Sequence, residues 1–192
     1  MTAKEIICIV LAYLLGGICT GYYLVRFKTG LDIREQGSGG VGARNTGRIL
    51  GHIGFLSTLL GDALKGGIAV LLARRVGMSE SIVSLVVVAV VAGHIWPLPL
   101  HFRGGRGIAT AIGAYLTFNP WIVLLLLGLT LTLMIYRSNF ILSGLTAFLL
   151  LPPILYIFKI PIHAVAASAG VTILILFAHR KHIHTAFVET PF

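Results

Sequence analysis

The sequence predicts an all-α polytopic membrane protein, with seven transmembrane helices and glycine-rich polar loops on the cytoplasmic side. Three observations carry that reading. Charged residues make up 11% of the 192 residues and apolar residues 57%, with a mean hydropathy of +0.96; a soluble domain carries about 25% charged residues. Apolar stretches near the ~20 residues that a helix needs to cross the hydrocarbon recur along the chain. The polar residues gather in a few breaks rich in glycine and arginine. This length allows one membrane domain, residues 1–192, and no sizeable soluble one. The net charge of +9 is scattered between apolar spans. That argues against nucleic acid as a partner and suits the lipid bilayer and anionic substrates.

The spans follow in order. Ile6–Val25 is the first and reads as a retained helix, since it lacks the basic start and small-residue cleavage site of a signal peptide. Its Cys8 and Cys19 lie roughly 16 Å apart along a helix axis, too far for a disulfide. The polar break Asp32–Arg48 comes next. Ile49–Leu72 is the second span, interrupted by Asp62 and Lys65. Charges at that depth are usually paired, so a structural ion pair is expected. Ile82–Leu100 is the third span, ended by Pro97 and Pro99; His94 reads as a packed helix-end residue and Trp96 as an interfacial anchor. A second break, His101–Thr110, leads into a short fourth span, Gly105–Phe118. Asn119-Pro120 is a turn signal, and Trp121–Tyr136 is the fifth span. Arg137-Ser138-Asn139 is a third break. Phe140–Phe158 and Ile160–Phe177 are the sixth and seventh spans, followed by the tail His-Arg-Lys-His-Ile-His from His179 to His184.

Charge placement decides whether Gly105–Tyr136 is a hairpin or one broken helix. With seven spans and the N-terminus outside, one face holds Arg26, Lys28, Arg34, Arg44, Arg48, Arg103, Arg106, Arg137, Arg180 and Lys181; the other holds Lys4, Arg74, Arg75 and Lys159. That asymmetry obeys the positive-inside rule, whereas a single broken helix scatters it. All three breaks and the C-terminal tail then meet at the cytoplasmic face, where a site is expected.

The breaks carry anion-binding chemistry. In the first, Gly37, Gly39, Gly40 and Gly42 let the backbone approach a ligand. Ser38 and Asn45 add neutral donors, and Arg44 and Arg48 add fixed charge. If a helix starts near Gly42 or Ala43, these arginines lie at i and i+4 on one face, beside the free N–H groups of the helix start. In the second, Arg103-Gly104-Gly105-Arg106 opens a helix in the same style, with Thr110 one turn further on. It is not a P-loop, because the Lys-Ser/Thr ending is absent. His179, His182 and His184 have no acidic or cysteine partner nearby, so phosphate contact or an interfacial role is expected rather than metal. No nucleophile elbow appears.

These motifs resemble those of the small bacterial membrane acyltransferases that use acyl-phosphate. The resemblance covers essentially the whole chain. It rests on Ile33-Arg34-Glu35-Gln36-Gly37-Ser38-Gly39, Gly42-Ala43 and Asn45, Gly61-Asp62 with Leu64-Lys65-Gly66, Gly93-His94-Ile95-Trp96-Pro97, Gly104-Gly105 with Gly107 and Ala109-Thr110, and His179-Arg180 with Ile183. It implies transfer of an acyl chain from acyl-phosphate to the 1-hydroxyl of glycerol 3-phosphate, giving lysophosphatidate, in a bacterial plasma membrane. It implies no metal or cofactor, no covalent nucleophile and no protein base, the acceptor phosphate taking the proton. Contact with the soluble enzyme that makes acyl-phosphate is a further implied partnership. Ser38, the backbone around Gly39, Gly40 and Gly42, Asn45 and Gly104–Gly105 would hold the acyl-phosphate; Arg103, Arg106, Ser143, His179 and His182 would hold the acceptor phosphate.

The chain departs from the family pattern at several positions. Gly40 stands where the family has Asn, and Arg44 where it has Thr. Arg103 and Arg106 stand where it has lysines. Ile141 and Gly144 occupy the usual serine positions, with Ser143 between them, and His182 replaces an Asn. Two alternatives therefore stay open: a non-catalytic paralogue that binds an anionic lipid or precursor, or an acyltransferase with another polyol-phosphate acceptor.

Overall fold

The computed structural model describes residues 1–136 and 139–188, with side chains to His184, so Arg137 and Ser138 of the third break lie outside it. Among the described residues the chain is all helical. The α-helices are α1 (Ala3–Gly16), α2 (Thr20–Thr29), α3 (Ala43–Arg75), α4 (Glu80–Ile95), α5 (Ile108–Phe118), α6 (Pro120–Tyr136), α7 (Phe140–Ile157), α8 (Ile162–Ala178) and α9 (Arg180–Val188). Local chemistry sets their starts. Thr2 and Glu5 form a capping box at α1, Ser79 caps α4 and Asn139 caps α7. Asn119 separates α5 from α6, which pack against each other as a hairpin.

Among the described residues four stretches are long and apolar enough to cross a membrane: Ala3–Thr29, Ala43–Arg75, Glu80–Leu100 and Phe140–Ile157. Ile108–Phe118, Pro120–Tyr136 and Ile162–Ala178 are shorter apolar helices. At about 1.5 Å per residue α5 spans only ~16 Å, so the expected Gly105–Phe118 span is a half-length helix preceded by an irregular loop. The first span also differs from expectation. Gly17 ends α1 by donating to Tyr13 and Leu14 carbonyls, and the chain is unwound until α2 begins at Thr20.

The bundle is organised on α4, which packs against α1, α3, α5 and α8 and buries more than half of its circumference, leaving Leu85 exposed on the remaining face. Glycines allow the closest approaches. A Cβ on Gly93 would lie 2.0 Å from the Tyr13 carbonyl oxygen, and one on Gly113 would lie 1.9 Å from that of Ala63. The α1–α4 and α3–α5 backbones are therefore in direct contact, as small residues permit in membrane helices. A second, small core of Cys19, Val25, Ile33, Val41 and Leu100 lies beneath the first polar break.

Candidate functional site

The first break is a preformed loop. Ile33 and Val41 are fully buried and anchor it on the small core. Asp32 accepts from the Arg34 backbone N–H and guanidinium, and Arg34 Nη1 donates to the Leu100 carbonyl at 3.0 Å. Arg34 thus staples the first loop to the second, and the Arg34 guanidinium also sits over the Tyr22 ring. Asn45 is the loop's centre. Its amide donates to the carbonyls of Ile33, Gln36 and Gly40 at 3.2, 2.9 and 2.9 Å, and its Oδ1 accepts from the Ser38 N–H at 3.1 Å. The Asn45 carboxamide therefore braces the loop from within, where a ligand contact was expected, its donors and acceptor all engaged by loop backbone.

The helix after this loop starts at Ala43 with Gly42 as an N-cap that offers no side-chain bond. Arg44 and Arg48 consequently project from its first turns, both exposed. Gly51 adopts φ 67° and kinks α3 just beyond them, which re-aims this short N-terminal segment relative to the long one.

The second break is built differently from expectation. The Gly104 and Gly105 N–H groups donate to the Ile95 and His94 carbonyls at 3.2 and 3.0 Å. They satisfy the end of α4 and are not free to cradle a ligand. Arg103 and Arg106 flank these two glycines and are exposed. Arg106 lies close enough to Arg44 and Arg48 to feel both. Partial desolvation, then the Arg44 and Arg48 charges, push the Arg106 pKa down. Among the described residues, none of Arg44, Arg48, Arg103 and Arg106 has a carboxylate at ion-pair distance; the pairs are Arg34–Asp32, Lys65–Asp62 and Arg74–Glu80, with His94 near Asp62.

The C-terminal tail reaches the same place. His179 caps α8 and is almost fully buried. Its Nδ1 donates to the Ile175 carbonyl at 2.8 Å, because a carbonyl can only accept. Burial lowers its pKa from the ordinary 6.5; the Ile175 bond opposes this, while Arg106 and His182 lower it further. His179 is therefore neutral at pH 7, with the Nε2 lone pair available. The sign of the linkage follows. Below about 6.5 the unfolded chain binds a proton that the folded chain refuses, so His179 costs stability as pH falls through that value. The melting temperature of detergent-purified protein should drop from pH 7.5 to 5.5, and His179→Gln should flatten the drop. Parallel slopes for the two proteins would contradict this.

Three further nominated residues carry buried polar atoms without a hydrogen-bond partner: Thr110 Oγ1, Ser143 Oγ and His182 Nε2. Such groups cost about 1–3 kcal/mol each when unpaired; Thr58 Oγ1 and Tyr115 Oη share that state among the described residues. In the first loop Ser38 and Gly39 are exposed, and Gly40 and Gly42 are half-buried. No group of three or more His, Cys, Asp or Glu placed to hold a metal occurs among the described residues. Asp62 and Lys65 form an ion pair at 2.9 Å, deep in the bundle and almost fully buried. An apolar cavity of about 320 Å³ between α1 and α3, lined by Lys4, Leu11, Ala69 and Val76 among others, lies at the opposite end of the bundle and is separate from this cluster.

Sequence reading missed two placements. His94, read as a packed helix-end residue, has its Nδ1 2.8 Å from Lys65 Nζ and its Nε2 facing Gly105. Arg34, counted above among the charges of one face, is tied to Asp32 and the Leu100 carbonyl; the Asp two places before it was the available signal.

Comparison with known proteins gives the family. The sequence profile described as glycerol-3-phosphate acyltransferase matches residues 6–188. A glycerol-3-phosphate acyltransferase 1 of Desulfitobacterium hafniense (strain Y51) is 47% identical over 172 residues, 90% of this chain and 85% of that protein. A glycerol-3-phosphate acyltransferase of Clostridioides difficile (strain 630) is 39% identical, over 93% of this chain and 89% of its own length. The crystal structure of PlsY (YgiH), an integral membrane glycerol 3-phosphate acyltransferase, in its glycerol 3-phosphate form superposes with a TM-score of 0.87 at 29% identity, covering 97% of this chain and 94% of that one. Its lysophosphatidic acid form gives 0.84 at 27% identity, covering 97% and 93%. With apolar helices able to span a bilayer and an unpaired guanidinium cluster at one end, the chain is a membrane protein of the glycerol-3-phosphate acyltransferase family.

Proposed function

We propose that the protein transfers an acyl chain from acyl-phosphate to the 1-hydroxyl of glycerol 3-phosphate, forming lysophosphatidate. The observation that carries this reading is the group of arginines without counter-ions, Arg44, Arg48 and Arg106, gathered beside the buried His179. Fixed guanidinium charge suits phosphate, and two phosphates meet in this reaction. The start of α3 adds N–H groups that no side chain caps.

The chemistry needs little from the protein beyond placement. The acceptor oxygen bonds to the acyl carbon while the bond from that carbon to the phosphate oxygen breaks. Phosphate is the leaving group, and the hydroxyl proton passes to a phosphate oxygen of the acceptor. No enzyme nucleophile or metal enters. Ser38 and the Gly39–Gly42 backbone serve the donor phosphate. Arg103, Arg106, Ser143, His179 and His182 serve the acceptor, with the His179 Nε2 lone pair able to accept from an acceptor hydroxyl. Holding both substrates in line and neutralising phosphate charge supplies the rate enhancement.

In this reading the seven apolar helices all cross or enter the bilayer, with the N-terminus outside and the motif loops cytoplasmic. The short α5 then places Gly104–Arg106 below the membrane surface, where irregular backbone is tolerated because it lines a polar site. A phosphate group and a lipid-borne acyl chain meet at such a depth.

The test is phosphate release from palmitoyl-phosphate by the detergent-purified protein, with and without glycerol 3-phosphate. Acceptor-dependent release with lysophosphatidate formed is expected. A folded protein that releases none, assayed beside an active relative, would refute the reading; turnover with another polyol phosphate alone would reassign the acceptor. Arg106→Gln should lower kcat/KM for glycerol 3-phosphate about 10–100-fold, the loss of a charged hydrogen bond of about 1.5–3 kcal/mol.

A further inference from the structure

The break between α1 and α2 leaves backbone groups unpaired in the apolar interior, and a buried network from two other helices meets them. Lys65 Nζ lies 2.7 Å from the Ile18 carbonyl, 2.9 Å from Asp62 Oδ1 and 2.8 Å from His94 Nδ1. The ammonium has three N–H bonds and faces three acceptors. Asp62 Oδ1 in turn accepts from the Thr20 N–H at 3.3 Å. All three residues are at most 5% exposed.

The network sets the state of His94. Facing an ammonium, Nδ1 must accept, so the neutral ring carries its proton on Nε2. That edge lies against the second glycine loop. A Cβ on Gly105 would sit 2.1 Å from His94 Nε2 and 2.8 Å from Cε1, so glycine is needed there to make room for the ring. The same histidine's carbonyl accepts from the Gly105 N–H, and the next carbonyl accepts from Gly104. The imidazole is clamped between Lys65 behind and Gly105 in front. Arg103 and Arg106 flank those two glycines in sequence.

We propose that Asp62, Lys65 and His94 are positioning residues, which lock the His94 ring against Gly105 and so present Arg103 and Arg106 to the acceptor phosphate. This rests on the phosphate-site reading above. The network touches no reacting atom in this proposal, and its effect runs through the loop. A merely structural ion pair would need Lys65 and Asp62 but not the polar edge of His94. A packing role would need the ring's volume but not its nitrogens.

The experiment compares His94→Gln, which keeps an acceptor and a donor on one side chain, with His94→Phe, which keeps ring volume without either. Each protein is read by melting temperature, by KM and kcat, and by the dissociation constant for glycerol 3-phosphate measured without donor. Neither variant strips Lys65 of its Asp62 partner, so both should fold. The expected result is a tenfold or greater rise in acceptor KM and dissociation constant for His94→Phe, with kcat within about threefold and melting temperature near that of the parent. His94→Gln should remain within about threefold in KM. The double variant Asp62→Asn with Lys65→Met removes both charges; it should melt above either single variant yet keep the raised KM. A folded His94→Phe protein with parental KM and dissociation constant would overturn the proposal, as would recovery of KM together with stability in the double variant. Parent protein that binds glycerol 3-phosphate without turnover would refute acyl transfer while the dissociation constants still test the positioning role. Parent protein that binds none would remove both.

Discussion

Asn45→Ala will lower kcat/KM for acyl transfer by about 100-fold or more while leaving helical content unchanged. A 100-fold loss corresponds to about 2.7 kcal/mol, and the structure supplies more than that. The Asn45 side chain is 2% exposed and makes four hydrogen bonds, three to carbonyls between Ile33 and Gly40 and one from Ser38. Each group left unpaired in a buried setting costs about 1–3 kcal/mol. Those carbonyls regain partners only if the loop opens to water, so the loss appears as disorder of residues 36–42 and not as unfolding of the bundle. Asn45→Asp distinguishes a brace from a ligand contact. An aspartate keeps the acceptor for Ser38 but replaces the amide donors with oxygens that face three carbonyls. As a brace it should be no better than alanine. If the carboxamide instead touched phosphate, Asn45→Ala would raise a substrate KM by the value of one bond and leave proteolytic protection of the loop intact. Kinetics and limited proteolysis of the two variants together decide this.

Much of the layout was legible because hydropathy and motif chemistry are local. The apolar stretches, the hairpin at Asn119, the α3 start at Ala43 and the i, i+4 pair of Arg44 and Arg48 need only composition and spacing. The roles of Asn45 and of Gly104–Gly105 depend on where the chain folds back. An asparagine in the first turn of a helix looks like a donor offered to a ligand. Here burial of Ile33 and Val41 curls the loop over it, and periodicity does not report that burial. Glycines between two arginines look like a phosphate cradle. Pro97 stops α4, and the nearest N–H groups able to satisfy its last carbonyls belong to those glycines. The break at Gly17 was hidden because the residues around it are apolar. Asp62 and Lys65 were its visible trace, since a charged pair at that depth has a partner to satisfy, and the partner is broken backbone.

The second large effect concerns a position far from any phosphate. Gly113→Ala should sharply reduce the yield of monodisperse protein in detergent, and Gly113→Val should abolish it. A Cβ at Gly113 would meet the carbonyl oxygen, carbonyl carbon and Cα of Ala63 at 1.9, 2.5 and 2.7 Å. All three are backbone atoms, so no rotamer change relieves the clash. Overpacking in a tight core costs about 1–3 kcal/mol even where side chains can yield. The facing position has the same constraint, because a Cβ on Gly66 would lie 2.2 Å from the Thr110 carbonyl oxygen. Gly128→Ala is the internal control. It sits in α6 with nothing within 4 Å of the added methyl, so it should be neutral, or stabilising by about 0.5–1 kcal/mol through helix propensity. Equal yields and melting temperatures for Gly113→Ala and Gly128→Ala would mean that α3 and α5 do not meet as described. The contact also ties fold to chemistry. Arg106 directly precedes the Gly107 cap of α5, and Arg44 and Arg48 open α3. The glycine contact that lets α3 and α5 touch therefore helps fix the distance between the guanidinium groups that the two helices carry.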